Sequence, residues 1–318
     1  NPNKIADSSL TSCSKYATVD DYAGICTSPS IRPTGWPSSP GGTFTDPIFG
    51  GVLTRLTAGS ITHTYPVMAM ISSDSLYSLN LNLTNGAIGY IYDLATQAQL
   101  FSPSFGVNSQ SCQWSANPST PRVIWCNEST GIRKWTITGT PPSGATDGGI
   151  VYTDASGVYT TTRFRFSNDD TIPYFNSTAS DAVGATQLCA VNLNNTSLKT
   201  CYTLSSLPSP QPTAWRGLAI SPGVGADGYR YIMAATGSGE NGVRLWKYKD
   251  GDSALTLVTN GVPAWDGIPS NAGLTWSEST CEGGYCVAGG HFGMGVNGAH
   301  QILYAPDPVR NSPAYRIA

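Results

Sequence analysis

Charged side chains are scarce in this chain. Asp, Glu, Lys and Arg make up 12% of its 318 residues, about half of their usual share in soluble domains. The formal net charge of −3 provides no basic field for nucleic acid or for an anionic membrane surface. No apolar run approaches the roughly 20 residues that span a bilayer. We therefore expect neither nucleic acid nor membrane insertion among its partners.

Histidine and the common catalytic motifs are also rare. The chain has three histidines and no P-loop, dinucleotide fingerprint, G-x-S-x-G elbow or H-E-x-x-H motif. Its carboxylates are too scattered to nominate a glycosidase pair. We therefore predict no cofactor, with one alternative left open. His291 and His300, in "GGHFGMGVNGAHQ", would be divalent-metal ligands if they faced each other across a hairpin.

Cysteine is plentiful and regularly spaced. The eight cysteines form four pairs of near neighbours in sequence, and no pair has the spacing of zinc ligands. We predict the disulfides Cys13–Cys26, Cys112–Cys126, Cys189–Cys201 and Cys281–Cys286. Five Asn-x-Ser/Thr triplets accompany them, beginning at Asn82, Asn127, Asn176, Asn194 and Asn195. Disulfides and glycan acceptors together predict a secreted, extracellular glycoprotein.

Internal repetition gives the fold prediction. Five segments share one layout, in which an apolar strand ends in serine and a turn, a second strand and a hairpin follow. The marker serines are Ser72, Ser115, Ser167, Ser221 and Ser277. A period of 43 to 56 residues, with about four short strands in each repeat, is typical of propeller blades. Gly, Pro, Asn or Asp interrupts every segment before a long helix could form. We predict an all-β propeller with five four-stranded blades.

The first strand of each repeat has its own pattern. The residue before each marker serine is apolar, which predicts packing between blades, whereas alternate positions are small or polar. The apolar positions are Ile71, Trp114, Phe166, Ile220 and Trp276.

The two chain ends offer a way to close the ring. Residues 45–58 look like an outer strand without the rest of its blade, and the C-terminal "NSPAYRIA" would lie beside it in a sixth, composite blade. We divide the chain into a disulfide-strapped extension or partial blade over 1–44 and a propeller over 45–318.

The opening repeats resemble a known group. The segments "DPIFGGVLTRLT", "HTYPVMAMISSD" and "QWSANPSTPRVIWC" resemble the start of bacterial propellers of the oligogalacturonate-lyase and TolB-like group. The resemblance covers about residues 45–140 and later repeats only by layout. It implies a propeller fold, and lyases of that group use histidines, a metal and basic residues on the channel face. No cluster of histidines is evident here.

Two pairs of residues are candidates for lyase chemistry. His63 and Tyr65 precede the first strand of the first blade and would act as base and acid in β-elimination from a uronic acid. Arg163 and Arg165 lie on a first strand, where guanidinium groups would bind a uronate or sulfate. The alternatives are a backbone contact for His63 and salt bridges from the arginines to the nearby Asp169 and Asp170.

Aromatic residues provide candidates for ligand binding. Trp215 and Arg216 precede the fourth repeat's first strand, and Trp265 lies in the "VPAWDGIPSN" loop. Exposed aromatic side chains on propeller loops stack on sugars or form protein interfaces. We expect a non-catalytic module that binds glycans or other copies of itself as a subunit of an extracellular polymer. The alternatives are a polysaccharide lyase acting on uronic-acid polymers and another propeller enzyme.

Overall fold

The computed structural model of this chain is all-β. It describes residues 37–45, 52–55, 70–81, 88–105, 112–128, 130–160, 166–207, 212–225, 227–236, 243–258, 293–297, 300–304 and 314–316. Within these ranges nineteen strands form six antiparallel sheets. The helical elements there are two 3-10 turns, Ser180–Ala182 and Leu204–Ser206. The same ranges contain no helix that is both long and apolar enough to cross a membrane.

The strands follow one another along the chain in successive sheets. A two-stranded ribbon comprises β1 (Thr43–Thr45) and β2 (Val52–Thr54). Sheet 1 comprises β3 (Tyr77–Leu81), β4 (Gly89–Asp93) and β5 (Gln99–Phe101). Sheet 2 comprises β6 (Cys112–Trp114), β7 (Val123–Glu128), β8 (Gly131–Thr138) and β9 (Gly144–Thr153).

The remaining three sheets repeat this arrangement, in which each strand pairs with the next. Sheet 3 comprises β10 (Thr171–Phe175), β11 (Gln187–Asn192) and β12 (Asn195–Thr203). Sheet 4 comprises β13 (Trp215–Ile220), β14 (Arg230–Thr236), β15 (Val243–Tyr248) and β16 (Thr256–Leu257). Sheet 5 comprises β17 (Gly293–Asn297), β18 (His300–Tyr304) and β19 (Ala314–Arg316).

Sheet 2 packs with both of its faces. In β7 the sequence "VIWC" is apolar throughout, and successive side chains of a strand point to opposite faces. Val123 and Trp125 belong to the core shared with sheets 3 and 4. Ile124 and Cys126 belong to the core shared with sheet 1. Sheets 1 to 4 therefore stack face to face in chain order.

The marker serines build the turns between consecutive strands. In three repeats the serine N–H donates to a carbonyl at the start of the next strand, and its Oγ accepts the N–H of that same residue. The pairs are Ser72 with Tyr77, Ser167 with Thr171, and Ser221 with Tyr231. All three serines are buried. The recurring serine is therefore a structural residue that satisfies backbone groups at a buried turn.

The serine turns of sheets 1, 2 and 3 each contact the turn of the next sheet. Ser73 Oγ donates to the carbonyl of Asn117 at 2.9 Å. The Asn168 N–H donates to the carbonyl of Pro222 at 2.6 Å. Between them, the turn at Ser115 contacts Asp170. This repeated contact holds neighbouring sheets in register along one edge of the stack.

The two predicted disulfides within the described ranges are present. Cys112 is directly opposite Cys126 on β6 and β7, and Cys189 is directly opposite Cys201 on β11 and β12. Both pairs are bonded, with a Cα–Cα distance of 4.0 Å. Disulfides of this kind are typical of oxidising compartments. Cys13, Cys26, Cys281 and Cys286 lie outside the described residues.

Three features differ from the sequence expectation or refine it. Ile71 is 54% exposed, whereas Trp114, Phe166 and Ile220 at the equivalent positions are buried; Trp276 lies outside the described residues. Strand β19 pairs with β18, and β2 pairs with β1. Among the described residues the two chain ends thus do not pair with each other, and β1 spans the predicted boundary between residues 44 and 45.

Candidate functional site

Several of the predicted site residues fall outside the described ranges. They are His63, Tyr65, Asn82, Arg163, Arg165, Trp265 and His291. Their grouping into a lyase or metal site stays a prediction. Among the described residues, no group of three or more His, Cys, Asp or Glu side chains is placed to hold a metal ion.

His300 begins β18 at the tip of a hairpin. The strand register pairs it with Asn297 of β17. His300 is therefore opposite Asn297; His291 lies outside the described residues, so a metal site shared by the two histidines stays a prediction.

Trp215 has its ring inside the core. It is 2% exposed, stacks on Phe175 with a centroid distance of 5.1 Å and contacts Trp246 at 6.0 Å. This burial assigns the indole to packing between sheets 3 and 4 and leaves no face for a sugar. Arg216 is the next residue of β13.

Asp170 is a buried acceptor that joins sheets 2 and 3. It is fully buried and has a left-handed backbone with φ 64°. Its carboxylate accepts hydrogen bonds from Ser115 Oγ at 2.7 and 2.8 Å and from the Ala116 N–H at 3.2 Å. Thr120 Oγ1 and Asn194 Nδ2 each donate to Oδ2 at 3.2 Å. The described groups that donate hydrogen bonds to the Asp170 carboxylate are therefore all neutral.

Asp169 forms an ion pair with an arginine of the next sheet. Arg230 is buried, with 7% of its side chain exposed, and contacts Asp169 and Asp250 at 2.7 Å each. Burial alone would raise the pKa of Asp169, but hydrogen bonds from Ser167 and Thr171 and the charge of Arg230 lower it. This cluster links sheets 3 and 4 and is fully paired, so it is structural.

A tyrosine pair forms the most elaborate titratable cluster between sheets 2 and 3. The hydroxyls of Tyr152 and Tyr174 are hydrogen-bonded to each other. Tyr174 also donates to Asp154 Oδ2 at 2.8 Å, and Lys199 Nζ is 3.1 Å from the same oxygen. Burial, with the Tyr152 hydrogen bond, raises the pKa of Tyr174 strongly. A tyrosine that holds its proton this firmly is a poor general base near neutral pH.

Arg244 differs from every other charged group described above. It is 8% exposed, and among the described residues its buried Nε has no hydrogen-bond partner. Among the described residues it forms no ion pair, and burial lowers the pKa of its guanidinium. Burying an uncompensated charge is costly, so such a group is a candidate for ligand binding.

The surroundings of Arg244 are aromatic. Alternate residues of β15 share one face, and Trp246 and Tyr248 on that face belong to the core shared with sheet 3. Tyr202 of β12 interacts electrostatically with Arg244 and contacts the Trp246 ring edge-on at 5.9 Å. Tyr202 is half-buried, so its ring reaches the surface. We call Arg244 and Tyr202, together with the Trp246 ring that Tyr202 contacts, the arginine site.

The chemistry available at the arginine site is anion recognition. A guanidinium offers a planar fork of N–H donors that matches a carboxylate, and an adjacent tyrosine supplies an apolar face with a polar tip. Sequence reasoning missed this residue because "GVRLWKY" reads as an ordinary strand. The available signal was an arginine two residues before a tryptophan, on the face that the tryptophan buries.

Comparison with known proteins gives similar structures but no family. No family or curated protein matches the chain in sequence. Similar solved structures include hydrazine synthase of Kuenenia stuttgartiensis, with 12% identity, a TM-score of 0.42, and coverage of 68% of this chain and 59% of that one. Oligogalacturonate lyase from Vibrio parahaemolyticus has 13% identity and a TM-score of 0.36, with coverage of 86% of this chain and 83% of that one. Sqt1 of Saccharomyces cerevisiae has 10% identity and a TM-score of 0.39, with coverage of 84% of this chain and 76% of that one. At these values the likeness carries no information about activity.

Proposed function

We propose that this chain is a secreted β-propeller that binds an acidic glycan without cleaving it. The observation that supports this is the buried guanidinium of Arg244. Within the described ranges its Nε has no hydrogen-bond partner and the side chain forms no ion pair. A uronate carboxylate would supply the missing acceptor, and Tyr202 would contact the sugar ring beside it. The low charge of the chain and its disulfides support an extracellular setting.

The binding test uses calorimetric titration of the full chain with galacturonate oligomers and with neutral malto-oligosaccharides. We expect binding heat with the acidic ligand only. Arg244→Met should lower the affinity about 10- to 100-fold, because it removes a charged hydrogen bond worth about 1.5–3 kcal/mol. Arg133→Met is the control, since the Arg133 guanidinium is already paired with Glu128 and Asp147. Equal affinity in all three proteins would refute the proposal.

Two further readouts separate binding from catalysis and from misfolding. Ultraviolet absorbance of unsaturated products, followed with and without a divalent metal, should stay flat; a rise would establish a lyase instead. The thermal midpoint of Arg244→Met should equal or exceed that of the parent, because the change removes a buried unpaired charge. A drop in that midpoint would mean that Arg244 has a structural role.

The propeller itself is part of the proposal. The stacking of sheets 1 to 4 in chain order and the recurring serine turns support five blades, with the ribbon as part of a sixth. A closed ring of 318 residues should have a radius of gyration of about 20 Å. Small-angle scattering of the monomer measures this, and an open, elongated arc would give a clearly larger value.

Self-assembly is a second candidate, supported by the ribbon. Val52 is 64% exposed and Leu53 is 47% exposed. Neighbouring residues of a strand point to opposite faces, so the ribbon has apolar side chains on both faces. Two-stranded ribbons are marginal by themselves, and an edge strand can pair with a second copy.

Sedimentation velocity tests assembly directly. We expect the full chain to associate with rising concentration and the double change Val52→Ser, Leu53→Ser to shift it toward monomer. Val224→Ser, at a residue that is 49% exposed, is the matched control and should associate like the parent. A parent chain that stays monomeric at all concentrations would eliminate this candidate.

A further inference from the structure

Two overlapping glycan-acceptor triplets share the turn between β11 and β12. Asn194-Asn195-Thr196 makes Asn194 an acceptor, and Asn195-Thr196-Ser197 makes Asn195 one. We infer that Asn195 carries the N-linked glycan and that Asn194 instead keeps its side chain hydrogen-bonded to Asp169 and Asp170. This inference rests on the proposed export of the chain.

The Asn194 side chain is already engaged. Its Nδ2 donates to the carbonyl of Asp169 at 3.2 Å and to Asp170 Oδ2 at 3.2 Å. These bonds occupy both amide hydrogens. A glycan would replace one hydrogen and direct the sugar toward Asp170, which is fully buried. The native turn therefore has no room for a sugar on this nitrogen.

The Asn195 side chain has the opposite arrangement. Asn194 and Asn195 are both exposed, so the two differ in what their amide nitrogens contact. Its Oδ1 accepts a hydrogen bond from Ser197 Oγ at 2.6 Å, and its backbone N–H donates to Asn192 Oδ1 at 2.9 Å. Its Nδ2 makes no hydrogen bond within the described residues. This nitrogen can therefore bear a sugar while the turn keeps every bond that it makes.

Two more triplets within the described ranges begin at asparagines with structural roles. Asn176 is 8% exposed, and its Nδ2 donates to Thr186 Oγ1 at 2.8 Å. Its Oδ1 accepts the N–H groups of Thr186 and Gln187. Asn127 is half-buried, and its Nδ2 donates to the carbonyl of Val158 at 2.9 Å. Among these four acceptors Asn195 alone combines exposure with an uncommitted amide nitrogen.

The chemistry is a glycosyl transfer from a lipid-linked oligosaccharide pyrophosphate. The bond from the anomeric carbon to the pyrophosphate oxygen breaks, and a bond from that carbon to Nδ2 forms. The amide nitrogen loses one proton, and the lipid pyrophosphate leaves. The transferring enzyme belongs to the secretory pathway, and the fold decides which product is compatible with the native turn.

The test is site-resolved mass spectrometry of the full chain secreted from a eukaryotic host. Electron-transfer fragmentation cuts between residues 194 and 195 and so assigns the glycan to one of them. Two matched variants separate the triplets. Ser197→Ala removes the Asn195 acceptor and keeps the Asn194 acceptor, whereas Thr196→Ala does the reverse. Both changed residues are exposed, so both variants should fold.

We expect the parent and Thr196→Ala to carry a glycan at Asn195 and Ser197→Ala to carry none in this turn. A glycan on Asn194 in the secreted parent, or its appearance there in Ser197→Ala, would overturn the inference. An unoccupied Asn195 in a secreted chain overturns it while leaving export intact. A chain that is retained, with no acceptor occupied, overturns both.

Discussion

Replacing Asp170 with asparagine should weaken the junction between sheets 2 and 3. The change keeps the size of the side chain, and asparagine tolerates the left-handed backbone at φ 64°. It converts one acceptor oxygen into an amide donor. That donor would then face either the Ala116 N–H or the Asn194 amide, both of which donate to the carboxylate. The backbone is unaffected, so any loss of stability reports the hydrogen bonds.

The expected magnitude follows from the number of donors left without an acceptor. Losing a hydrogen bond to a buried acidic acceptor costs about 1.5–3 kcal/mol, and we expect Asp170→Asn to fall in that range. Asp170→Ala should cost about 3–5 kcal/mol because every donor around the carboxylate loses its partner and alanine adds strain to the left-handed backbone. The free energy of unfolding is obtained from urea denaturation, followed by the fluorescence of the buried Trp114 and Trp125.

A matched control removes the remaining ambiguity. Asp181 also has a left-handed backbone, with φ 56°, and lies in the connection between β10 and β11. Asp181→Asn should change the free energy of unfolding by less than about 0.5 kcal/mol. Hydrogen exchange should in addition speed up at the Ala116 amide in Asp170→Asn alone. A stability for Asp170→Asn within about 0.5 kcal/mol of the parent would refute the proposed role of this carboxylate.

Three further predictions concern the same sheet junctions. Gly157→Ala should lower the free energy of unfolding more than Gly251→Ala does. Both glycines have positive φ, but only at Gly157 would a Cβ lie 2.5 Å from the Ser177 carbonyl group. Equal losses in denaturant titration would contradict this. Tyr174→Phe should lower the free energy of unfolding by about 1–2 kcal/mol, since it removes the hydrogen bond to Asp154. Tyr202→Phe is the control in the same denaturant titration, because the Tyr202 hydroxyl makes no hydrogen bond within the described ranges. Asp154 and Asp169 have pKa values lowered by hydrogen bonds and by Lys199 or Arg230, despite burial, which acts in the opposite direction. Their stabilisation is therefore complete above the unfolded pKa of about 3.9 and is lost as pH falls below it through the folded values; a thermal midpoint that does not decline in that acid range would show that these pairs contribute nothing.

The spacing of residues predicted the local architecture well. Cysteines 12 or 14 residues apart can be opposite each other only on neighbouring strands, so Cys189 and Cys201 fixed the register of β11 and β12. The recurring serine marked the turns because its side chain accepts a backbone N–H at the same place in three of the repeats. Periodicity and turn chemistry are local properties, and local sequence records them.

Properties that depend on neighbouring sheets were not predictable in the same way. Trp215 precedes a strand and suggested a surface residue, but Phe175 and Trp246 from two different sheets enclose it. Ile71 fits the apolar pattern and yet lies exposed. The described partners of Asp169 and Asp170 include Arg230 and Ser115, which lie far away in sequence. Burial and pairing across sheets are decided by contacts that no single segment contains.

The placement of the two described disulfides has a consequence for covalent integrity. Each bond joins adjacent strands of one sheet, Cys112–Cys126 in sheet 2 and Cys189–Cys201 in sheet 3. Neither connects one sheet to another. A protease that cuts the chain once between sheets 2 and 3 would leave two pieces that these bonds do not tie together. Noncovalent contacts across the junction, such as those of Asp170 and of the Tyr152–Tyr174 pair, would then have to keep the nicked molecule whole.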